Sequence, residues 1–318
     1  RSGAVAALTA AVDQFCRHHA VDVPGWCVAL SGGADSLALT AVAARLRPTT
    51  ALIVDHRLQA GSDRVAHTAR DQALALGCVA VQVLTVEVGR DGGLEAAART
   101  ARYEALRKAR GDAPVLLAHT LDDQAETVLL GLGRGSGPRS IAGMRPYDPP
   151  WCRPLLEVRR AVTHAACAEL GLTPWQDPHN TDRRFTRVRL RTEVLPLLED
   201  VLGGGVAEAL ARTAAALRED TDCLDRLADA VRAEASTDAG LDVRRLETLD
   251  PALRRRVLRG WLLAGGATDL TDKQIRAVDA LITAWRGQGG VAVGSRLART
   301  RLFARRSGGR LTLHTEPV

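Results

Sequence analysis

Two observations predict an α/β domain on a parallel sheet followed by a smaller, mainly helical α+β domain. Apolar runs alternate with helical patterns through the first 120 residues. A triple glycine, Gly203-Gly204-Gly205, then introduces a long Ala/Leu/Arg/Asp helix. A third observation locates the ligand end of the sheet. The hexapeptide Ser31-Gly32-Gly33-Ala34-Asp35-Ser36 joins the first apolar run to the first sheet-packing helix, and ligands in such sheets sit beyond the carboxyl ends of the strands.

The elements follow in order. Trp26 to Leu30 is short, apolar and punctuated, which predicts a buried strand; Ala51 to Val54, Val79 to Leu84 and Pro114 to Ala118 repeat the pattern. Helices are expected over 35–46, 63–76 and 94–109. Residues 131–158 read as loops, first Gly-rich and then Pro-rich, and 185–200 as helical. Beyond the glycines, helices are expected at 206–235, 251–264 and 271–286, with strand-like pieces at 291–304 and 310–314. These signals set domains of 1–200 and 201–318, without internal repeats.

Composition narrows the class. Apolar residues make up 46% and aromatic ones only 3%, so Ala, Leu and Val must build the layers. No run approaches 18 apolar residues, and no signal peptide is apparent. The chain opens at Arg1 and its single Met is Met144, so residues upstream are expected. Six scattered cysteines without a Cys-x-x-Cys pair read as free thiols of a cytoplasmic protein. The formal charge of +6 suits a polyanionic partner. Seven arginines and no acid lie between Arg286 and Arg310, and five arginines between Arg183 and Arg191. An Arg-rich composition with solvated faces would read the same way.

The hexapeptide has the chemistry of a phosphate cradle. Paired glycines let the backbone bend and approach a ligand, the following helix offers free N–H groups, and Ser31 and Ser36 add hydroxyls. Asp35 would repel bare phosphate and makes sense with Mg²⁺ or as a structural acceptor. The absence of Gly-Lys-Ser/Thr excludes a Walker loop, and Gly131-Leu132-Gly133-Arg134-Gly135-Ser136 misses the dinucleotide fingerprint. The second strand ends in Val54-Asp55-His56-Arg57-Leu58, where Asp55 and His56 would lie beside a nucleotide. Glu95, Arg99 and Tyr103 share one helix face, with Arg102 adjacent; composition alone favours an ordinary Glu–Arg surface pair, while Arg99 also has the chemistry to grip a carboxylate. Finally, His119 ends a strand, and Asp122, Asp123 and Glu126 crowd the next helical turn. Such crowding reads as a plain capping cluster or, better, as the place of a cation, an amine substrate or Mg²⁺.

Ser31 to Ser36 resembles the pyrophosphate loop of N-type ATP pyrophosphatases, a Rossmann-like PP-loop superfamily. The ordered set resembles the tRNA(Ile)-lysidine synthase family more specifically. That set is the loop, Val54-Asp55-His56, Glu95 with Arg99 and Arg102-Tyr103, and His119 with Asp122, Asp123, Glu126 and Thr127. It continues through Leu132 to Gly137, Ile141 to Met144, Arg153-Pro154-Leu155-Leu156 and Trp175-Gln176-Asp177-Pro178-His179-Asn180. The match is dense over 1–200. It departs at His179, where Ser or Thr is usual, and at Val188, where an Asn is usual; an additional C-terminal domain of some members is not expected in this length.

The resemblance implies an ATP-dependent ligase acting on the wobble cytidine of the CAU anticodon of an isoleucine tRNA. ATP adenylates the cytosine C2 oxygen and releases pyrophosphate; the ε-amine of free L-lysine then attacks C2 and expels AMP, forming lysidine. On this reading Ser31, Gly32, Gly33, Ala34, Asp35, Ser36, Asp55 and His56 hold ATP, with Mg²⁺ at Asp35. Arg99, Asp123 and Glu126 hold lysine. Asp35, His119, Asp122, Asp123 and Glu126 form the catalytic group, in which His119 or a carboxylate takes the amine proton. Arg134, Arg139, Arg187, Arg189, Arg191 and the C-terminal arginines contact tRNA. A mobile loop at 133–145 would receive the extruded base. Family members are often homodimers. The alternatives are a PP-loop ligase or amidotransferase acting on a small-molecule carboxylate, and a non-catalytic nucleotide-binding module. A thiolating enzyme is disfavoured by the missing cysteine pair.

Overall fold

A computed structural model describes residues 3–57, 61–87, 94–135, 137–297 and 299–317, without the side chains of 94 and 95. Expectations resting on Leu58, Ser136 and the Glu95 side chain therefore lie outside the described residues. The chain divides into two compact units, Arg1–Leu130 with Gly143–Thr213, and Gly131–Ala142 with Ala214–Val318. The sequence reading set one boundary near 200. The contacts divide inside the long helix instead, and they group 131–142 with the second unit.

The elements run α1 (Ala4–His18), β1 (Trp26–Ala29), α2 (Ala34–Leu46), β2 (Thr49–Asp55), α3 (Ser62–Ala75), β3 (Ala80–Thr85) and α4 (Leu94–Ala109). Then come β4 (Val115–Leu116), α5 (Leu121–Arg134), α6 (Pro138–Ile141), β5 (Tyr147–Asp148), β6 (Trp151–Cys152) and α7 (Arg160–Glu169). A 3-10 turn at Pro178–Thr181 precedes α8 (Thr186–Arg189), a π turn (Leu190–Val194), α9 (Leu195–Leu202) and α10 (Val206–Ala235). The first sheet has the order β3-β2-β1-β4-β6-β5 and is parallel except for the β5–β6 hairpin. Val28 of β1 pairs with Ala51 on one side and Leu116 on the other.

This is the α/β architecture that the alternation predicts, because β1 is buried on both faces and must be covered by helices. Helix α2 is buried from Ser36 through Ala43, lying under α1 and α7. The sequence reading missed α1 and α7. Helix α1 shows Leu8, Val12 and Phe15 on one face, but α7 buries only Thr163, Ala166 and Cys167, which are too small to register as an apolar stripe. It also read 131–158 as loops. The structure continues α5 to Arg134 and adds α6 and the β5–β6 hairpin there.

The second unit adds β7 (Ser236–Thr237), β8 (Gly240–Asp242), α11 (Val243–Glu247), α12 (Pro251–Ala264), β9 (Ala267–Thr268) and α13 (Asp272–Thr283). Strands β10 (Val291–Ser295), β11 (Thr300–Ser307) and β12 (Arg310–Pro317) complete an antiparallel sheet ordered β7-β8-β12-β11-β10-β9. Gly308 and Gly309, both at positive φ, close the β11–β12 hairpin, as a two-residue turn with matching twist requires. The helices pack on one face of this sheet, against Val293, Leu302, Ala304 and Leu311.

One ion pair lies inside that core. Arg254 Nε donates to Asp279 Oδ1 at 2.6 Å, both side chains are 7% exposed, and Arg255 Nε reaches Asp279 Oδ2 at 3.2 Å. Arg254→Met leaves the Asp279 carboxylate desolvated with one weaker partner. We expect a loss of about 3 kcal/mol, read as a lowered denaturant midpoint for the second unit.

Candidate active site

The loop after β1 folds around its own hydroxyls. Gly32 sits at φ +85°, a conformation that favours glycine, and its carbonyl accepts the Trp175 N–H at 2.9 Å. Gly33 caps α2. The Ser31 N–H donates to Ser36 Oγ at 3.1 Å, the two hydroxyls lie 3.0 Å apart, and Ser36 Oγ donates to the Gly33 carbonyl at 3.0 Å. The loop is thus preformed, with small hydroxyl donors beside the α2 N-terminus.

A cavity of about 430 Å³ opens beside this loop, beyond the ends of β1 and β2. Ser31, Asp55, His56, Arg102, Trp175 and His179 are among its walls. Asp55 is buried and its Oδ1 accepts the Arg57 N–H at 2.9 Å. His56 Nδ1 is buried without a hydrogen-bond partner, and burial followed by Arg102 lowers the imidazole's proton affinity. Trp175, Asp177 and His179 entered the sequence reading only as motif matches. The structure makes them a wall of the nucleotide-sized cavity, with the His179 ring edge-on to Phe185. Val188 is buried.

The acidic cluster at the start of α5 has a cation of its own. Arg160, the first residue of α7, places Nη2 2.6 Å from Asp123 Oδ1, Nη1 3.5 Å from Glu126 Oε1 and Nε 3.4 Å from Asp35 Oδ2. Glu126 has no exposed surface; Arg191 Nε meets its Oε1 at 2.8 Å and Arg187 Nη1 its Oε2 at 3.6 Å. The sequence reading ascribed the crowded charge to a ligand cation and sent Arg187 and Arg191 to tRNA. In the structure these arginines turn inward and neutralise the cluster. Nothing in the sequence singled out Arg160; its signal is a cation at a helix N-terminus, which the dipole disfavours unless carboxylates face it.

The other carboxylates are similarly engaged. Asp122 Oδ2 accepts the Arg160 backbone N–H at 2.7 Å, and its Oδ1 lies 3.4 Å from Arg159, so Asp122 caps α7. Asp123 Oδ2 accepts both the N–H and hydroxyl of Thr120 at 2.8 Å. Burial works against the Asp123 anion, yet Arg160 and Thr120 together hold its carboxyl below the usual range. Asp35 accepts the Thr163 hydroxyl, and burial raises its proton affinity despite Thr163 and Arg160.

His119 lies close enough to feel this group. Burial, with Asp123 opposing and Arg102 and Arg153 adding to it, lowers its pKa to about 3, and its Nδ1 is buried without a hydrogen-bond partner. Arg99 is exposed, with its guanidinium 5.0 Å from the Tyr103 ring centroid. Neither Arg99 nor Arg102 forms an ion pair among the described residues. The remaining basic candidates lie elsewhere. Arg139 is paired with Asp225 within the second unit, Arg189 pairs with Glu193 at 3.3 Å, and Arg134 is exposed.

His119 supplies a pH test. Its folded pKa of about 3 lies below its ordinary 6.5, so between those values the unfolded chain binds the extra proton. The neutral ring's contribution is full above about pH 6.5 and is lost as pH falls toward 3. We expect His119→Gln to flatten the stability–pH curve between pH 6.5 and 4.5, by up to about 1.4 kcal/mol per pH unit, measured by denaturant unfolding.

Comparison with known proteins places these features. Residues 6–198 match the PP-loop domain model, and residues 241–312 match the TilS substrate binding domain model. The tRNA(Ile)-lysidine synthase of Mycolicibacterium paratuberculosis is 71% identical over 318 residues, covering 100% of this chain and 99% of the relative. That of Mycobacterium tuberculosis is 71% identical with the same coverage. Among solved structures, the U34-tRNA thiolase NcsA of Methanococcus maripaludis superposes with a TM-score of 0.54 at 15% identity, covering 68% of this chain and 80% of that one, a likeness of fold. With a PP-loop domain, a TilS substrate binding domain and 71% identity along its whole length, the chain belongs to the tRNA(Ile)-lysidine synthase family of ligases.

Proposed function

We propose that this chain joins free L-lysine to C2 of the wobble cytidine in the CAU anticodon of an isoleucine tRNA. ATP first adenylates the C2 oxygen and loses pyrophosphate; the lysine ε-amine then adds to C2 and AMP departs. Residues 1–200 carry the chemistry and 201–318 serve tRNA binding. One observation carries the reading: Arg160 touches Asp35 of the phosphate loop and Asp123 and Glu126 of the acidic cluster at once. The loop suited to pyrophosphate and the acids suited to an amine are thus bridged by one guanidinium, as the two-step reaction asks.

Each step has residues suited to it. The Ser31 hydroxyl and the N–H groups opening α2 receive the departing pyrophosphate, while the Ser36 hydroxyl holds the loop in shape. The adenosine enters the cavity bounded by Asp55 and His56. Among the described residues no group of three His, Cys, Asp or Glu forms a metal cage. A single carboxylate fits a Mg²⁺ that arrives on ATP, since this ion takes most of its ligands from phosphate and water. Asp35 would hold it, and the ion would offset charge on the leaving pyrophosphate.

Lysine must be gripped at both ends. Asp123 and Glu126 provide for the ammonium in competition with Arg160, and Arg99, with Arg102 one turn away, provides for the carboxylate. The amine must lose a proton to attack. His119, neutral at neutral pH, and the carboxylates of the cluster are the groups within reach that can take this proton as the amine attacks.

The test is to incubate the chain with ATP, Mg²⁺, radiolabelled lysine and an isoleucine tRNA transcript bearing CAU, with elongator methionine tRNA as control. We expect acid-stable label on the isoleucine tRNA alone and none with Asp35→Ala. Absence of label on either tRNA, with ATP still cleaved to AMP and pyrophosphate on another acceptor, would sink the reading. Arg160→Lys keeps the charge but not the fork that spans three carboxylates. We expect it to lower the rate of lysine incorporation by about tenfold or more.

A further inference from the structure

The sheet of the second unit has a face without helices. Alternation along β11 sends Leu302 and Ala304 into the core, and Arg301, Phe303 and Arg305 to the opposite side. In the paired register His314 of β12, Phe303 of β11 and Ala292 of β10 form one row across this face. The Phe303 and His314 rings are stacked, with centroids 5.5 Å apart and planes 18° apart. His314 covers one side of the Phe303 ring. On the other side the row continues with Ala292, an exposed methyl, with exposed Gly290 just before the strand; Gly294, two residues on, lies against Thr268 of β9. Neighbouring strands lie about 4.8 Å apart, enough for one more flat ring.

The charges around this shelf are arranged for a polyanion. Arg301 and Arg305 are exposed, stand two residues either side of Phe303, and have no ion pair among the described residues. Other arginines of the same stretch are already used: Arg306 donates to the Leu281 and Ile282 carbonyls, and Arg310 to Thr237. Among the described residues of these two strands the acid is Glu316, which stands across from Arg301 in the register and places its Oε1 3.2 Å from His314 Nε2.

Resting on the tRNA reading above, we infer that this face is a stacking platform for an unpaired nucleotide of the tRNA. The base enters beside Phe303 over Ala292, and flanking phosphates meet Arg301 and Arg305. A ring stack supplies affinity without base identity, and two guanidiniums at ±2 along the strand suit a backbone running parallel to β11. A merely solvated sheet face needs neither the ordered aromatic pair nor the exposed Gly290 and Ala292 next to it.

The experiment measures binding of the labelled CAU isoleucine tRNA to the full chain by anisotropy over a range of salt, alongside lysidine formation. We expect Phe303→Leu to weaken binding about tenfold without changing the salt slope, and Phe303→Tyr to bind as the parent. Arg305→Gln should reduce the slope of log K against log salt by about 1. Lysidine formation at saturating tRNA should keep its kcat in Phe303→Leu while KM for tRNA rises. Parent-like binding by Phe303→Leu, or equal loss in Phe303→Tyr, would overturn the platform even where the parent makes lysidine. Weakened binding by Phe303→Leu in a chain that makes no lysidine would leave the platform standing and overturn the ligase reading instead.

Discussion

The Arg160 guanidinium, set among Asp35, Asp123 and Glu126, is the interaction on which the catalytic unit depends. Glu126 is fully buried, and a buried carboxylate without cations would cost several kcal/mol. Arg160, Arg187 and Arg191 remove that cost only if α7, α8 and the π turn after it sit where they do. The same contacts fix the phosphate loop. Arg160 opens α7, whose N-terminus is capped by Asp122. One turn later Thr163 binds the Asp35 carboxylate, and Cys167 Sγ lies 3.4 Å from the Ala34 carbonyl. The acid cluster of α5 therefore holds α7, and α7 holds the loop.

This coupling gives the site its character. Every carboxylate of the cluster already has a cation, so an incoming ammonium gains no bare charge; it must exchange with a guanidinium. Exchange discriminates on geometry. An ammonium is a compact charge on a flexible stem, whereas Arg160 spans three oxygens with a rigid fork. On the reading proposed above, lysine would gain its selectivity from being held at both ends, by the acids on one side and by Arg99 and Arg102 on the other. Neutral His119 fits the same logic, since one more cation near Arg102, Arg153 and Arg99 would add repulsion in a desolvated place.

Much of this was legible in the sequence, and the limits are physical. The phosphate loop was readable because its chemistry is local: a strand, two glycines, two serines and a helix start. Helices 94–109 and 206–235 were readable because their composition repeats over several turns. Helix α7 was not, because its buried face is Thr163, Ala166 and Cys167. The partners of Asp123 and Glu126 were not, because Arg160 and Arg191 are more than 30 residues away and a sequence cannot say which way an arginine turns.

That ambiguity bears on the positive charge itself. A formal charge of +6 invites a picture of an evenly basic surface. The structure divides the arginines by what they already hold. Arg160, Arg187 and Arg191 neutralise Glu126, Arg254 and Arg255 neutralise Asp279, and Arg139 and Arg256 share Asp225. None of these has its full charge left for phosphate, because releasing it would strand a carboxylate. Counterion release counts only cations that can turn to the nucleic acid. The salt dependence of tRNA binding should therefore reflect arginines such as Arg301 and Arg305, a far smaller number than the composition gives.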